Sequence, residues 1–322
     1  MHYRRLGRAG VKVSEIALGS WLTYGGSVEK QVAIDCVRQA YDIGINFFDT
    51  ANVYHRGAAE ELLGEALAGF PRDAFVLATK AFWPMGDGPN DKGLSRKHIF
   101  EQVHASLKRL KVDYIDLFQC HRYDPETPLD ETLRAIDDLI TQGKVLYAGV
   151  SEWSAVQIDD ALHTAERLGL DPIVSNQPQY SMLERYIEKD VIPLCERAGV
   201  GQVVWSPLAQ GMLTGKYKRG ASAPAGSRGA NEATAHLLNR FMIDDNFVKV
   251  EKLQEIASHL NITLPQLALS WILRQPNVSS AIIGASRPEQ VVENAQAVDI
   301  KLSMEVLTEI ETILDEKKVM FC

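Results

Sequence analysis

Four residues that could share one reaction stand at or just beyond the ends of successive apolar runs. Asp49 closes NFFD, Tyr54 lies in the loop beyond it, Lys80 closes FVLATK, and His121 follows YIDLFQC. An acid, a phenol, an amine and an imidazole together suit carbonyl reduction. Hydride arriving at a carbonyl carbon builds alkoxide charge, so a proton donor has to stand at the oxygen during transfer. A free phenol, with a pKa of about 10, gives up its proton reluctantly at neutral pH. A nearby Lys80 ammonium would lower that value, and Asp49 could hold the ammonium charged and oriented. His121 could donate a hydrogen bond to the same oxygen. Taken singly, Asp49 reads more simply as a loop or cap acid, Tyr54 as a surface aromatic and Lys80 as a solvated charge, and His121 divides evenly between core and site. Their convergence is what argues for a site.

The elements that must carry these residues alternate between strand and helix. Residues 31 to 44 place Ala33, Cys36, Val37, Ala40 and Tyr41 on one helical stripe that stops at Gly44. Strands are expected at 15–19, 46–49, 75–80, 114–120, 145–150, 172–176, 203–206 and 280–283. Helical patterns lie near 58–69, 95–110, 130–142, 154–168, 183–198 and 247–273, the last divided by a new start at Thr263 and Pro265. Eight strands with intervening helices predict a (β/α)8 TIM barrel, an α/β fold in one domain over 1–322, with 315–322 as a C-terminal tail. An open doubly wound sheet would carry a glycine fingerprint after its first strand. Only Gly86/Gly88 and Gly199/Gly201 form GxG here, neither with the third glycine.

In such a barrel the chemistry belongs at the C-terminal ends of the strands. Besides the four residues above, those ends offer Ser20, Trp21, Ser151, Gln177, Trp205, Ser206, Gly284 and Ser286. The small-residue stretch RGASAPAGSRGAN, 219–231, reads either as a solvated loop or as a lid. The aromatics Trp21, Tyr24, Tyr54, Phe82, Trp83 and Tyr123 could wall a pocket for an apolar or aromatic carbonyl compound, or could pack the barrel top.

Composition narrows the alternatives. The 322 residues are 46% hydrophobic and 24% charged, enough for a sizeable core. The net charge of −8, without a basic block, argues against nucleic acid. No apolar run nears the roughly 20 residues that span a bilayer, and the N-terminus lacks an apolar signal core, so no membrane insertion and a cytoplasmic location are expected. Cys36, Cys120, Cys195 and Cys322 are widely spaced and read as free thiols, mostly buried. The eight histidines are scattered, His98 and His104 on a helical pattern that suggests the surface, and no metal ligands are assigned. Glycoside hydrolysis needs two carboxylates at strand ends, and Asp49 with Glu152 keeps that alternative open.

FFDTANVY (47–54), ATK (78–80), QCHRYDPETP (119–128), GVSEW (149–153), WSPLAQGMLTGKY (205–217) and IGASRPEQVVEN (283–294) together resemble the aldo-keto reductase superfamily, in family order from about Tyr3 to Leu314. LGSWLTYGG (18–26) and KGLSRKHIFEQVHASLKRL (92–110) are most similar to its branch of potassium-channel β subunits and their bacterial relatives. The resemblance implies NADPH-dependent reduction of aldehydes or ketones, with Asp49, Tyr54, Lys80 and His121 as the catalytic tetrad and Tyr54 as general acid. NADP(H) would lie across the barrel mouth, near Ser20, Trp21 and Asp49. Trp205 would stack on the nicotinamide, and Ser151 and Gln177 would hold its carboxamide. Ser206, Pro207, Leu208, Gln210 and Lys216 would line the pyrophosphate, and 219–231, including Arg228, would cover the cofactor.

Gly284, Ser286, Arg287, Gln290, Glu293 and Asn294 would hold the adenosine end, with Arg287 and Arg228 favouring NADP over NAD. Two departures stand out. Glu152 replaces the asparagine or arginine found in relatives, which leaves one cofactor contact open, and Gly284 stands where many members have a lysine. The same likeness raises an alternative role, a slow, redox-sensing regulatory subunit, and the possibility of a homo-oligomer. His121, which the channel β subunits lack, and a start almost directly at the barrel favour a working reductase.

Overall fold

The computed structural model describes residues 1–21 and 29–315. Two short strands come first, β1 (Tyr3–Arg5) and β2 (Lys12–Ser14), paired antiparallel. Eight parallel strands then close into a barrel: β3 (Ile16–Gly19), β4 (Phe47–Asp49), β5 (Val76–Ala81), β6 (Ile115–Cys120), β7 (Val145–Ser151), β8 (Ser175–Gln177), β9 (Gly201–Val204) and β10 (Val278–Ile283). Closure runs in chain order, with β10 returning to β3 through Ile282 opposite Ala17. The expected (β/α)8 barrel is therefore the fold.

Alternation along each strand sorts side chains into two layers. Ala17, Phe47, Val76, Ala78, Leu117, Val203 and Ile282 fill the barrel interior. The neighbours Ile16, Phe48, Leu77, Phe118 and Ala281 pack outward under the helices. Gly149 shows how tight the interior is, because a Cβ there would stand 2.4 Å from the Ser175 hydroxyl and 3.1 Å from the Gln119 side chain. Leu6 and Val13 of the β1–β2 hairpin join the interior cluster and close the N-terminal end, where Arg8 N–H donates to the Gly199 carbonyl at 2.7 Å. That hairpin was not expected from the sequence.

Each barrel helix covers the outside with one apolar stripe. Helices α1 (Lys30–Asp42), α2 (Ala58–Leu67), α3 (Arg96–Leu110), α4 (Leu129–Thr141), α5 (Ala155–Leu168) and α6 (Val191–Ala198) follow β3 to β8 in turn. In α4 the buried set Thr132, Leu133, Ala135, Ile136 and Leu139 repeats at helical spacing. Ser154 and Gln157 form a capping box that starts α5, and Gly169 in the left-handed region ends it. The single pattern expected over 183–198 is instead a short 3₁₀ turn and α6, which starts only at Val191 with Pro193 in its first turn.

Between β9 and β10 lie α7 (Glu232–Asn239), α8 (Asp244–His259) and α9 (Leu264–Leu273). The Thr263–Gln266 capping box and Pro265 place the α8–α9 break where the sequence put it. α7 was not foreseen; Asn231 caps it, at the end of the 219–231 stretch. After β10 come α10 (Pro288–Ala295) and α11 (Met304–Asp315), so all but the first residue of the expected tail lies outside the described residues. His98, expected on the surface, is fully buried on α3, while His104 is exposed. Cys36, Cys120 and Cys195 are buried free thiols, and Cys322 is outside the described residues.

Candidate active site

The parity that fills the barrel floor with apolar side chains delivers polar ones at its C-terminal mouth. Phe47 and Asp49 share one face of β4, Val76, Ala78 and Lys80 one face of β5, and Leu117 and Gln119 one face of β6, with His121 just beyond the strand. Lys80 is fully buried and its ammonium is the hub. Nζ donates to Asp49 Oδ1 at 2.6 Å and to the Thr50 carbonyl at 2.7 Å, and reaches Tyr54 Oη at 3.4 Å. The Tyr54 and His121 rings meet edge to face, centroids 5.8 Å apart. All four residues picked from the sequence thus come together.

Their protonation follows from burial and neighbours. Burial works against the Lys80 ammonium, but Asp49 and Tyr54 outweigh it and hold the group above its ordinary value, so it stays charged. Burial also pushes the Tyr54 phenol up. Lys80 pulls the other way without overcoming it, so the expectation of a lowered phenol is corrected: desolvation wins. Because Lys80 donates to Tyr54 Oη, the phenol's own O–H remains free to donate outward. Burial first, then the positive charges of Lys80 and Arg122, hold His121 well below its ordinary value, leaving a neutral imidazole.

Two further residues complete the acid's surroundings. Asp49 Oδ2 accepts from Gln177 Nε2 at 2.8 Å and from Gln119 Nε2 at 3.3 Å. Gln119 was missed, although its place two residues before His121 on a strand puts it on the same face. Thr50, also missed, accepts Lys80 through its carbonyl and the Ser20 hydroxyl through its own at 2.8 Å. Ser151 donates to the Gln177 carbonyl at 2.8 Å.

Around this centre stand aromatic rings. Trp21 lies 6.3 Å from Tyr54 and 5.8 Å, edge on, from Trp205, while Trp83 lies 6.4 Å from His121 and 5.0 Å from Phe82. Tyr123 packs edge on against Trp153, centroids 4.9 Å apart, and Tyr24 is outside the described residues. Trp205 and Ser206, expected within a strand over 203–206, fall just past β9, because the strand starts and ends two residues earlier, beginning at Gly201 opposite Ser175.

Glu152, the residue whose partner was open, fixes the tryptophan. Its Oε1 accepts from Trp205 Nε1 at 2.7 Å and from the Gln179 backbone N–H at 2.6 Å, and Oε2 accepts from the Tyr186 hydroxyl at 2.7 Å. It does so from a left-handed backbone, φ 58°. His55, Arg56, Ser206, Ala209 and Gln210 share that conformation. Non-glycine residues in this region cost about 1–2 kcal/mol each, and six of the eight among the described residues gather in the loops after β4, β7 and β9, with Lys111 and Asn261 following helices.

The remaining candidates lie along the same rim. Pro207 and Gln210 are buried, Leu208 is half-buried, and Lys216 is exposed with Nζ 5.3 Å from the Tyr217 ring. Ser206 Oγ accepts from Gln210 N–H at 3.0 Å. Arg228 donates to the Gln210 side-chain oxygen, and burial holds its guanidinium below its ordinary value. At the end of β10, Gly284, Ser286, Arg287 and Glu293 are exposed, Asn294 is buried, and the Gln290 amide oxygen accepts from Ser286 N–H at 2.9 Å. These last residues share no hydrogen bond with the tetrad. Among the described residues no cluster of His, Cys, Asp and Glu could hold a metal ion, and no helix is long and apolar enough to cross a membrane.

The sequence model of the aldo/keto reductase family matches residues 15–315. A probable voltage-gated potassium channel subunit beta of Arabidopsis thaliana is 47% identical over 322 residues, and its counterpart of the same description in Oryza sativa subsp. japonica 46%, each covering 98% of both chains. A putative voltage-gated potassium channel subunit beta of Schizosaccharomyces pombe is 44% identical, over 97% of this chain and 93% of its own. With the closed barrel and a family match over nearly its whole length, the chain belongs to the aldo/keto reductase family, a family of oxidoreductases.

Proposed function

We propose that this protein reduces aldehydes or ketones to alcohols with NADPH, with Tyr54 as the general acid. The observation that carries the reading is the buried Lys80, paired with Asp49 at 2.6 Å and directed at the Tyr54 hydroxyl from below. Tyr54 keeps its proton until alkoxide charge develops, then donates it. Lys80 offsets the phenolate that remains, and Asp49 keeps Lys80 in place. Neutral His121 donates a hydrogen bond to the same oxygen without competing as a proton source.

The residues present fit a dinucleotide. Arg228 is a half-buried cation whose side-chain partner is a neutral amide oxygen, a state that an anionic phosphate would relieve. When bound, the nicotinamide would supply the hydride. Trp205 and Trp21 would flank it near Ser20, and Ser151 and Gln177 would hold its carboxamide, Gln177 through the oxygen left over from its bond to Asp49. Ser206, Pro207, Leu208, Gln210 and Lys216 would line the pyrophosphate under the 219–231 segment. Gly284, Ser286, Arg287, Gln290, Glu293 and Asn294 would take the adenosine end. Titration with NADPH and NADH by fluorescence tests this: tighter NADPH binding that Arg287→Ala abolishes is expected, and unchanged NADPH affinity in that variant removes the basis for NADP preference.

A second reading is favoured by the relatives at 44–47% identity, which are described as probable or putative channel β subunits. In it the chain binds NADP(H) tightly, turns over slowly and reports cofactor redox state to a partner. Tight binding with no turnover on a panel of carbonyl compounds, and a partner complex that changes with cofactor oxidation, would favour it over the reductase.

A further inference from the structure

Arg122 follows His121 directly and is half-buried at the mouth. Its Nη1 donates to the His121 carbonyl oxygen at 2.5 Å and lies 3.4 Å from the Ser151 hydroxyl, and it forms no ion pair among the described residues. A guanidinium has five N–H donors. The two acceptors it meets are neutral and both face one nitrogen, so among the described residues Nε and Nη2 have no protein acceptor.

The charges nearby do not answer it. Lys80 is balanced by Asp49, and Glu152 turns its carboxylate to Trp205, Gln179 and Tyr186. The positive charge of Arg122 reaches both reacting groups, helping to hold His121 neutral and pulling on the Tyr54 phenol. Its guanidinium stands 5.7 Å from the Trp83 ring, and Trp83 in turn edges His121. Guanidinium, indole and imidazole bound one corner of the mouth, beside the place where a carbonyl oxygen must sit.

We propose that Arg122 is a specificity residue that selects carbonyl compounds bearing a carboxylate close to the reacting carbon. The proposal rests on the reductase reading and adds a charge to the aromatic walls. A carboxylate in that corner gains a charge-assisted pair with a fork of matching geometry, while an uncharged substrate leaves the cation unanswered.

The test compares 2-carboxybenzaldehyde with its methyl ester, methyl 2-formylbenzoate, for the wild type, Arg122→Met and Arg122→Lys, with NADPH affinity measured alongside. In Arg122→Met, kcat/KM for the carboxylate falls about 10- to 100-fold, the ester changes less than about threefold, and NADPH binding holds. Arg122→Lys restores part of the loss. Equal losses on both substrates, or weaker NADPH binding that accounts for them, would overturn the proposal and assign Arg122 to the fold or the cofactor. No loss on the carboxylate would overturn it too. In those outcomes the wild type still turns over, and only its refusal of both aldehydes would bring down the reductase reading with it.

Discussion

Replacing Glu152 separates a carboxylate that organises the mouth from one that merely fills it. Two donors depend on it, the Trp205 indole N–H and the Gln179 backbone N–H, and a third, the Tyr186 hydroxyl, lies at the surface. Leaving a buried donor unpaired costs about 1–3 kcal/mol, so Glu152→Ala should lose roughly 3 kcal/mol of stability, the exposed tyrosine contributing little. The backbone provides an internal control. Because φ is 58°, Glu152→Gly removes the same carboxylate but also about 1 kcal/mol of strain, and should be the more stable of the two. Glu152→Gln keeps an acceptor for the indole and should lose less than about 1 kcal/mol.

Denaturant unfolding of the three variants gives the order, and tryptophan fluorescence reports whether the Trp205 environment changes with it. Tyr186 adds an independent readout. Burial and the Glu152 carboxylate push its phenol up, so in Glu152→Gln it should ionise at lower pH in an ultraviolet titration. If Ala, Gly and Gln prove equally stable, with Trp205 emission and Tyr186 titration unchanged, the carboxylate does not hold this corner together.

Other perturbations have clear expected outcomes. Lys80→Met leaves Asp49 buried with only the two glutamine amides, and unfolding should show about 3–5 kcal/mol lost along with turnover. Glu60 is buried between Arg109 Nε and the Thr79 hydroxyl, each at 2.6 Å, so Glu60→Leu should cost about 3–5 kcal/mol, much of it recovered when Arg109→Met is added, as thermal melts would show. His121 and His98 both have folded pKa values lowered by burial. Their contribution to stability is present above the unfolded value of about 6.5 and is lost as pH falls below it, so denaturant midpoints should drop from pH 7 to 5, less in a His98→Gln variant. Lys80 and Tyr54 are raised instead, so their contribution is present below about pH 10 and is lost as pH rises through the folded values; a midpoint flat to pH 11 would contradict it.

The barrel was legible because its signals are local and repeated. Gly44, the Ser154 and Thr263 caps and Pro265 each mark a boundary that the structure keeps. The hairpin was not legible, since three-residue strands leave almost no period, and its purpose, closing the barrel floor with Leu6 and Val13, exists only in three dimensions. The tetrad could be picked out because strand ends bring distant residues to one face. Gln119 obeys the same parity as His121 and was available to that reasoning, whereas the roles of Glu152 and Arg122 were not, because their partners are residues just beyond β8 and β9 and a backbone carbonyl. The net protonation of Tyr54 also lay beyond the sequence: residue types give the sign of each neighbour, and only burial decides which one wins.

The central claim is that Tyr54 delivers the proton as hydride arrives. Single-turnover absorbance at the nicotinamide band, with NADPH-loaded wild type and Tyr54→Phe mixed with an aldehyde, measures that step apart from binding and release. The account predicts a loss of about 10²-fold or more in the hydride-transfer rate, with NADPH affinity and unfolding midpoint near those of the wild type. An equal rate in Tyr54→Phe would contradict it.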